Sequence, residues 1–515
     1  MCPSLSTIPL HSAFLSRASS PLYRVRTPLL CRRLHVTNSP QARGKGPIIY
    51  KNSLEKTLEA HRSSNRASVI RKVVSRGDVD QERQAVPPSS VKSAPKIESP
   101  AQTAPSTPSP RPVRKDKAFP ARFAPRPQVQ WRTDEESGRP AQTPWLDYMD
   151  AGRKWSNGTA RLHAEIRALE SYLTPTPLEQ ETVDQIAKDV ASLLRDTVPQ
   201  PPEVVGSRRT GLAMTHSGLD FIIPVPDPAR SIDSIRKPSA TRPQVLDAYT
   251  DILRTVQGTL RKSPWFDDHV YLGDKHGSIV TGVHVPTGIP VRFSCGEGLP
   301  SSIEYIQDYL AEYPSARPLY MTVRLILEIR GLFGSYESSL QSDCLLMLLV
   351  ASLKMSHGRF RAPDSLGEQL LTTLKLYGTE VDLTTTGVSL DPPSFFTAES
   401  VKQSIQAAGS DDLPAYLRGQ RALINKKKRA AARHNQPAAA RLCLQDPTNY
   451  MNDLGRRFHR PRQMQQTFAR AEHGLRLSLR AWEDGDRGPD SSILGGTLRA
   501  NFDDFEDLRA RLSSP

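Results

Sequence analysis

The chain has 515 residues, enough for two or three domains. Its formal net charge is +15, which favours a polyanionic partner. The cysteines Cys2, Cys31, Cys295, Cys344 and Cys443 form no CxxC pair, so neither a structural zinc site nor a disulfide framework is indicated. No apolar run approaches the ~18 residues that would span a bilayer, and we expect no membrane span.

The amino-terminal segment has the composition of a mitochondrial transit peptide. The first 50 residues carry seven Lys or Arg, many Ser, Thr and Leu, and no Asp or Glu. Cationic segments of this kind are drawn inward by the membrane potential. We therefore expect a transit peptide over residues 1–45 and a location in the mitochondrial matrix. The alternative is a disordered basic tail.

A linker is predicted over residues 46–144. Much of it is rich in Pro, Ser, Arg and Lys, as in "PPSSVKSAPKIESPAQTAPSTPSPRPVRK". Such a composition buries too little apolar surface to offset the entropy of ordering, which predicts disorder. The folded part is therefore expected to begin near Trp145.

The remainder predicts an α+β body in several segments. Residues 145–177 begin a helical entry in which the helices break at "TPTP". Residues 178–300 contain the strand patterns "LDFIIPV", "SIVTGVHV" and "IPVRFSC". Residues 301–480 are predicted to be helical apart from a basic, mobile loop over 418–441. Residues 481–515 are expected to be a carboxy-terminal tail.

The stretch "VVGSRRTGLAMTHSGLDFIIP" (204–224) combines two chemical signals. Gly206 and Ser207 follow a strand and begin a helix, where backbone N–H groups and a hydroxyl can bind phosphate; an ordinary turn is the alternative. Alternate residues of a strand share a face, so positions 218 and 220 point together. An Asp-x-Asp pair there could chelate two divalent cations, but Gly218 leaves Asp220 alone.

The order of motifs resembles the DNA polymerase β-like nucleotidyltransferases, in the template-independent poly(A) and poly(U) RNA polymerase branch that includes the mitochondrial poly(A) polymerases. The similar segments are "LHAEIRALESYLTPTPLEQ", "GSRRTGLAMTHSGLDFIIP", "YPSARPLYMTVRLILEIRGL", "DSLGEQLLTTLKLYG" and "LCLQDPTNYMNDLGRR". The resemblance implies a nucleotidyltransferase palm joined to a helical central domain, with a nucleotide in the cleft between them.

The sequence departs from this family at the catalytic carboxylates. Gly218 replaces one acid of the Asp-x-Asp pair. Ile289, Val291 and Phe293 alternate as a buried face, which puts Arg292 in the cleft-facing position of the third acid. A guanidinium is permanently protonated and cannot ligate a metal. We therefore expect Arg292 to pair with Asp220, or to hold phosphate in place of the cation, and the site to be degenerate.

The resemblance also implies a set of binding residues. The nucleotide or phosphate set is Gly206, Ser207, Thr210, Arg324, Gln445, Asp446, Asn452, Asp453 and Arg456. Arg324 stands where the family presents a triphosphate-binding Lys. The polar residues from 445 to 453 have an alternative role in capping and turning the backbone. An RNA-binding run is expected at Lys426, Lys427, Lys428 and Arg429, with a solvated charge run as the alternative.

The favoured hypothesis is a catalytically degenerate mitochondrial poly(A) polymerase-like protein that binds mitochondrial mRNA, rRNA or tRNA, or a ribonucleoprotein partner, and needs no cofactor. One alternative is an active RNA 3′-terminal nucleotidyltransferase that uses ATP or UTP, in which Asp220 and the substrate phosphates hold Mg²⁺ or Mn²⁺. Another is a structural subunit of an assembly such as the mitochondrial ribosome.

Overall fold

The computed structural model describes residues 54–63, 129–134, 138–150, 152–225, 243–266, 270–273, 278–334, 339–360, 365–408, 413–485 and 491–514. The predicted transit peptide and most of the predicted linker lie outside these ranges. Within the ranges, no helix combines the length and the apolar character that a bilayer crossing requires.

A five-stranded mixed sheet forms the centre of the predicted palm. Its strands are β1 (Glu203–Val205), β2 (Leu219–Pro224), β3 (Tyr271–Gly273), β4 (Ile279–Val283) and β5 (Pro290–Gly296). Their spatial order is β1-β2-β5-β4-β3, in which β2 and β5 are parallel and the other pairs antiparallel. The predicted strand segments therefore form one sheet, while the short strand β3 escaped the sequence pattern.

Helices make up most of the rest. The amino-terminal and palm helices are α1 (residues 54–63), α2 (Gly158–Leu173), α3 (Pro177–Leu194), α4 (Ser207–Thr210) and α5 (Pro243–Lys262). The later helices are α6 (Ser302–Glu312), α7 (Ala316–Glu328), α8 (Ser342–Met355), α9 (Leu366–Lys375), α10 (Ala398–Ala408), α11 (Ala415–Ala432), α12 (Gln436–Ala440), α13 (Pro461–Glu483), α14 (Gly495–Leu498) and α15 (Asp503–Ser513).

The predicted break between α2 and α3 has a clear cause. The Thr176 side chain accepts the N–H of Glu179 at 3.2 Å, and the Glu179 carboxylate accepts the N–H of Thr176 at 2.8 Å. This reciprocal capping box, with Pro177 in the first helical turn, begins α3 at "TPTP".

A second, three-stranded sheet lies among the later helices. It consists of β6 (Gly387–Leu390), β7 (Pro393–Phe396) and β8 (Cys443–Leu444), in the order β7-β6-β8. Strand β8 begins the "QDP" segment, so this sheet fixes the position of that segment against the helical body. Two mixed sheets combined with many helices confirm the predicted α+β class.

The prediction of a mobile basic loop over 418–441 is wrong. This stretch belongs to α11 and α12. Ala, Lys and Arg are strong helix formers, and the buried side chains Leu417, Leu423 and Ile424 attach α11 to a small apolar cluster with Phe396. The low-complexity composition of this segment hid its apolar face from the sequence-based prediction.

The predicted carboxy-terminal tail is also part of the folded body. Phe502, Phe505, Leu508 and Leu512 are almost completely buried in the main core. Their spacing of three and four residues is that of an amphipathic helix. The tail prediction is therefore wrong, because these apolar side chains bind the segment to the core.

The linker prediction is wrong where the structure describes that segment. Trp131 is only 6% exposed, and its ring packs edge-on against Phe502 with centroids 5.2 Å apart. The N–H of Gln130 donates to the Asp504 carboxylate at 3.0 Å. One aromatic anchor among polar residues thus fixes residues 129–134 to α15, although the average composition indicates disorder.

Candidate functional site

Arg292 and Asp220 lie side by side at the centre of the palm sheet. They are register partners on the parallel strands β5 and β2. Arg292 Nε donates to Asp220 Oδ1 at 2.5 Å, and its Nη2 donates to Oδ2 at 2.9 Å. The expected pairing is confirmed, and it is bidentate, the geometry for which a guanidinium is suited.

Apolar packing beneath the strands holds this pair in place. Phe221 and Phe293 point to the opposite face and stack with centroids 5.0 Å apart and planes 8° apart. Both are almost completely buried. Because side chains alternate along a strand, burial of these neighbours turns Asp220 and Arg292 towards the other face.

Gly206 lies against the Asp220 carboxylate. Its φ is +71°, and a Cβ at this position would lie 2.5 Å from Asp220 Oδ2. Only glycine fits both the backbone conformation and the space. Ser207 and Thr210 are buried, and Thr210 Oγ1 donates to the Ser207 carbonyl oxygen at 3.3 Å. The predicted phosphate loop thus lies next to Asp220, and its phosphate role stays a prediction.

Gly218 is enclosed by the neighbouring strand. A Cβ there would lie 2.8 Å from the backbone oxygen of Pro290, a contact that requires the backbone to move. The first acid of the predicted metal pair is therefore absent, and the space that its Cβ would need is filled.

The donor set does not fit the two-metal site that the resemblance implies. At the β2–β5 centre, both oxygens of Asp220 accept hydrogen bonds from the Arg292 guanidinium. Across the part of the chain that the structure describes, no three His, Cys, Asp or Glu side chains gather as a possible ligand set. A cation at Asp220 would have to displace a bidentate guanidinium and would then be repelled by it.

Arg324 is buried in a polar network between the palm and α7. Its Nε donates to Glu328 Oε1 at 2.7 Å, its Nη1 donates to Ser217 Oγ at 3.0 Å, and its guanidinium lies over the Phe333 ring. The predicted phosphate contact would have to break these bonds. The i,i+4 spacing of Arg324 and Glu328 on α7 is a sequence signal that could have identified the pair.

Glu328 links this network to the loop before β2. Its Oε2 lies 2.9 Å from His216 Nε2. Burial opposes ionisation of Glu328, but the charges and hydrogen bonds of Arg324 and His216 outweigh it and lower the pKa to about 2. Arg208 is held in the same region, since its Nε donates to the Ser217 carbonyl at 3.1 Å. Burial, with the nearby charge of Arg324, lowers the pKa of Arg208 to about 10.

The "QDPTNYMND" segment is a tightly bonded turn. The Gln445 amide donates to the carbonyls of Tyr416 and Tyr450 at 2.9 and 3.0 Å. Asp446 accepts the N–H of Thr448 at 2.8 Å and the side-chain amide of Asn452 at 2.9 Å. These contacts are those of the capping alternative, and the role in nucleotide recognition stays a prediction.

The end of this segment continues the same pattern. Asp453 Oδ1 accepts the N–H groups of Leu444 and Gly455, both at 3.0 Å. Burial raises the pKa of Asp453 above its ordinary value, against the hydrogen bonds and the nearby Arg441, which lower it. Arg456 is exposed and faces solvent.

The predicted RNA-binding run divides into one internal and several external side chains. Lys427 is buried, and its Nζ donates to the carbonyls of Thr384 and Arg441, both at 2.7 Å. Lys426, Lys428 and Arg429 are exposed on α11, where Lys426 Nζ also donates to the Met451 carbonyl at 3.2 Å. Lys427 therefore holds the helix in place, while its neighbours face solvent.

Comparison with known proteins identifies the fold. The structure superposes on the polymerase core of TRAMP, an RNA surveillance complex, with a TM-score of 0.53 and 20% identity; the match covers 69% of this chain and 99% of that one. The chain has a nucleotidyltransferase polymerase fold. It is also 24% identical over 319 residues to the poly(A) RNA polymerase cid14 of Schizosaccharomyces pombe, an alignment covering 60% of this chain and 39% of that relative's length. No family model matches.

The resemblance to the poly(A)/poly(U) polymerase branch is thereby confirmed. The five-stranded sheet corresponds to the predicted palm, and β2 is the strand to which the resemblance assigns metal ligands. This chain differs from what the resemblance implies at the carboxylates of the sheet, because Gly218 before β2 and Arg292 on β5 occupy the positions of two acids.

Substitution of Gly218 by Asp is expected to lower the free energy of unfolding by about 1–3 kcal/mol, because its Cβ would overlap the Pro290 backbone. Urea denaturation measures the change. Gly298→Asp is the matched control, since a Cβ there meets nothing within 4 Å. Equal stability of the Gly218→Asp protein and the control would show that the backbone relaxes freely at this position.

Substitution of Glu328 by Gln is expected to cost about 3–5 kcal/mol at neutral pH, because the Arg324 charge would remain buried without its counter-ion. The pKa of Glu328 is lowered from 4.5 to about 2, so its contribution is complete above pH 4.5 and is lost as the pH falls towards 2. Urea midpoints at several pH values should therefore decline less in acid for Glu328→Gln than for the unsubstituted chain. The exposed Glu181→Gln is the control; a similar effect of both changes would contradict the assignment.

Proposed function

We propose that this protein is a mitochondrial, catalytically degenerate member of the poly(A) polymerase-like nucleotidyltransferases that binds RNA or a ribonucleoprotein. The bidentate contact between Arg292 and Asp220 carries the proposal. It neutralises the retained acid with a protein cation at the point where phosphoryl transfer by this fold would need a metal ion. The transit-peptide composition of the amino terminus supports the mitochondrial location.

The exposed face of α11 supports the RNA-binding part of the proposal. The chain from 415 to 441 contains no Asp or Glu. Its exposed basic residues are Arg418, Arg421, Lys426, Lys428, Arg429 and Arg433. A helix that carries basic and no acidic side chains attracts phosphate groups of mitochondrial mRNA, rRNA or tRNA through counter-ion release. The helix, rather than a mobile loop, presents these charges in a fixed arrangement.

We expect the purified full-length chain to add no nucleotide to a labelled RNA 3′ end with any of the four NTPs, in Mg²⁺ or in Mn²⁺. The physical reason is that two of the three acids implied by the resemblance are replaced and the third is paired. Gel electrophoresis of the RNA measures extension. Extension that disappears in an Asp220→Ala variant would overturn the degenerate-enzyme proposal in favour of an active RNA nucleotidyltransferase.

The combined variant Lys428→Ala, Arg429→Ala should bind single-stranded RNA more weakly and with a shallower salt dependence, by about 0.7 in the log–log slope per lost phosphate contact. Fluorescence anisotropy over a salt series measures this slope. Lys188→Ala on α3 is the exposed control. Lys427→Ala should instead lower stability, because its Nζ holds two backbone carbonyls. An unchanged slope in the combined variant would remove α11 from the RNA surface.

A further inference from the structure

The short helix α1 packs one face against the body of the protein. Its less exposed side chains include Leu54, Thr57, Leu58, His61 and Arg62, at the spacing of a single helical stripe. The opposite face is exposed and carries Glu55, Lys56, Glu59 and Ser63. Leu54 and Leu58 are 7% and 3% exposed and belong to the main apolar core. The helix is therefore docked by a defined face.

Arg62 joins α1 to two separate parts of the later chain. Its Nε donates to the Pro447 carbonyl at 2.8 Å, and its guanidinium pairs with the carboxylate of Asp391 after β6. The same guanidinium lies 5.2 Å from the centre of the Tyr450 ring. The Arg62 side chain is 13% exposed, so these contacts are largely removed from water. One cation thus holds the β6–β7 turn and the 447–450 segment together.

His61 makes a third contact, with α6. Its Nε2 lies 3.1 Å from Glu304 Oε2, and its ring meets the Tyr305 ring edge-on. Burial raises the pKa of Tyr305, and the nearby carboxylates of Asp446 and Asp343 raise it further. Tyr305 is a neighbour of α1 through the His61 ring. We call the surface formed by α6, the β6–β7 turn and the 446–450 segment the α1 groove.

The negative charges around the α1 groove determine which kind of ligand it favours. Two carboxylates contact α1 directly, Glu304 through His61 and Asp391 through Arg62, and Asp446 belongs to the 446–450 segment beside them. Acids in a partly desolvated groove repel a polyphosphate and attract a cation that brings apolar side chains with it. We propose that the α1 groove is a binding site for an amphipathic helix that inserts one arginine beside its apolar side chains, and that its occupant is residues 54–63 of the same chain.

This assignment changes the chemistry expected of the surface. The 446–450 segment belongs to the stretch that, by its sequence resemblance, is associated with nucleotide recognition. Here it meets an arginine from the amino-terminal region and offers that arginine a carbonyl and an aromatic ring. The inference depends only on the contacts of α1, and it stands or falls separately from RNA binding by α11.

Hydrogen exchange of the full-length chain tests the docking. In the unsubstituted protein, amides of residues 58–63 should exchange at least ~100-fold more slowly than in an unstructured chain, since their N–H groups are bonded within a docked helix. Leu58→Asp should remove this protection and should also speed exchange at residues 448–450. Arg62→Glu is a second variant that leaves the apolar contact intact and should weaken protection at the same two places. Glu55→Gln, on the exposed face of α1, is the matched control and should change neither.

A synthetic peptide of residues 50–64 tests the groove itself. Added to the full-length Leu58→Asp protein, the peptide should restore slow exchange at residues 448–450, whereas the same peptide carrying Arg62→Glu should not. Millimolar ATP with Mg²⁺ should neither restore this protection nor release 54–63 from the unsubstituted chain. Rapid exchange of 58–63 in the unsubstituted protein, equal action of both peptides, or displacement of α1 by ATP would each overturn the proposal.

Discussion

The pairing of Arg292 with Asp220 is the constraint on which the chemistry of this molecule depends. Parallel strands β2 and β5 put the two residues in register, and the stacked Phe221 and Phe293 beneath them hold the register. Both side chains are partly exposed, at 39% and 22%, so the ion pair by itself contributes about 0–1 kcal/mol to stability. Its importance is chemical, because it pairs Asp220, the one acid left of the three that the resemblance implies, with a protein cation.

The polar side chains around this pair form hydrogen bonds within the fold. Arg324, Glu328 and His216 form a buried network that ties α7 to the loop before β2. Hydrogen bonds with nearby backbone and side-chain groups are formed by Gln445, Asp446 and Asp453. These polar residues lie at positions for which the resemblance implies nucleotide contact. Their hydrogen bonds within the fold are enough to explain why polar side chains are found there. The proposed role as an RNA-binding scaffold requires only that the fold be kept.

The sequence predicted the sheet and its central pair because the signals there are local. Alternating apolar residues in "LDFIIP" and "IPVRFSC" determine which side chains share a face within each strand, and the family resemblance then predicts that Asp220 and Arg292 meet. The surroundings depend on long-range contacts that composition hides. Trp131 is one aromatic residue in a polar stretch, and Lys427 resembles the lysines beside it although its amine is buried. Helical spacing from Leu423 and Ile424 places Lys427 on the buried face, but this signal can be used only once the segment is recognised as a helix.

The close approach of Gly218 to Pro290 bears on how such a protein can evolve. Once glycine replaces an acid at this position, the adjacent strand can occupy the space that the Cβ of the acid required. That space is filled here, because a Cβ at Gly218 would lie 2.8 Å from the Pro290 carbonyl oxygen. A later mutation back to an acid then meets a backbone that no longer accommodates it. Loss of the metal ligand would therefore be hard to reverse. To regain a metal site, the strand would have to shift and Arg292 would have to be replaced, and neither change alone would give selection a metal site to favour.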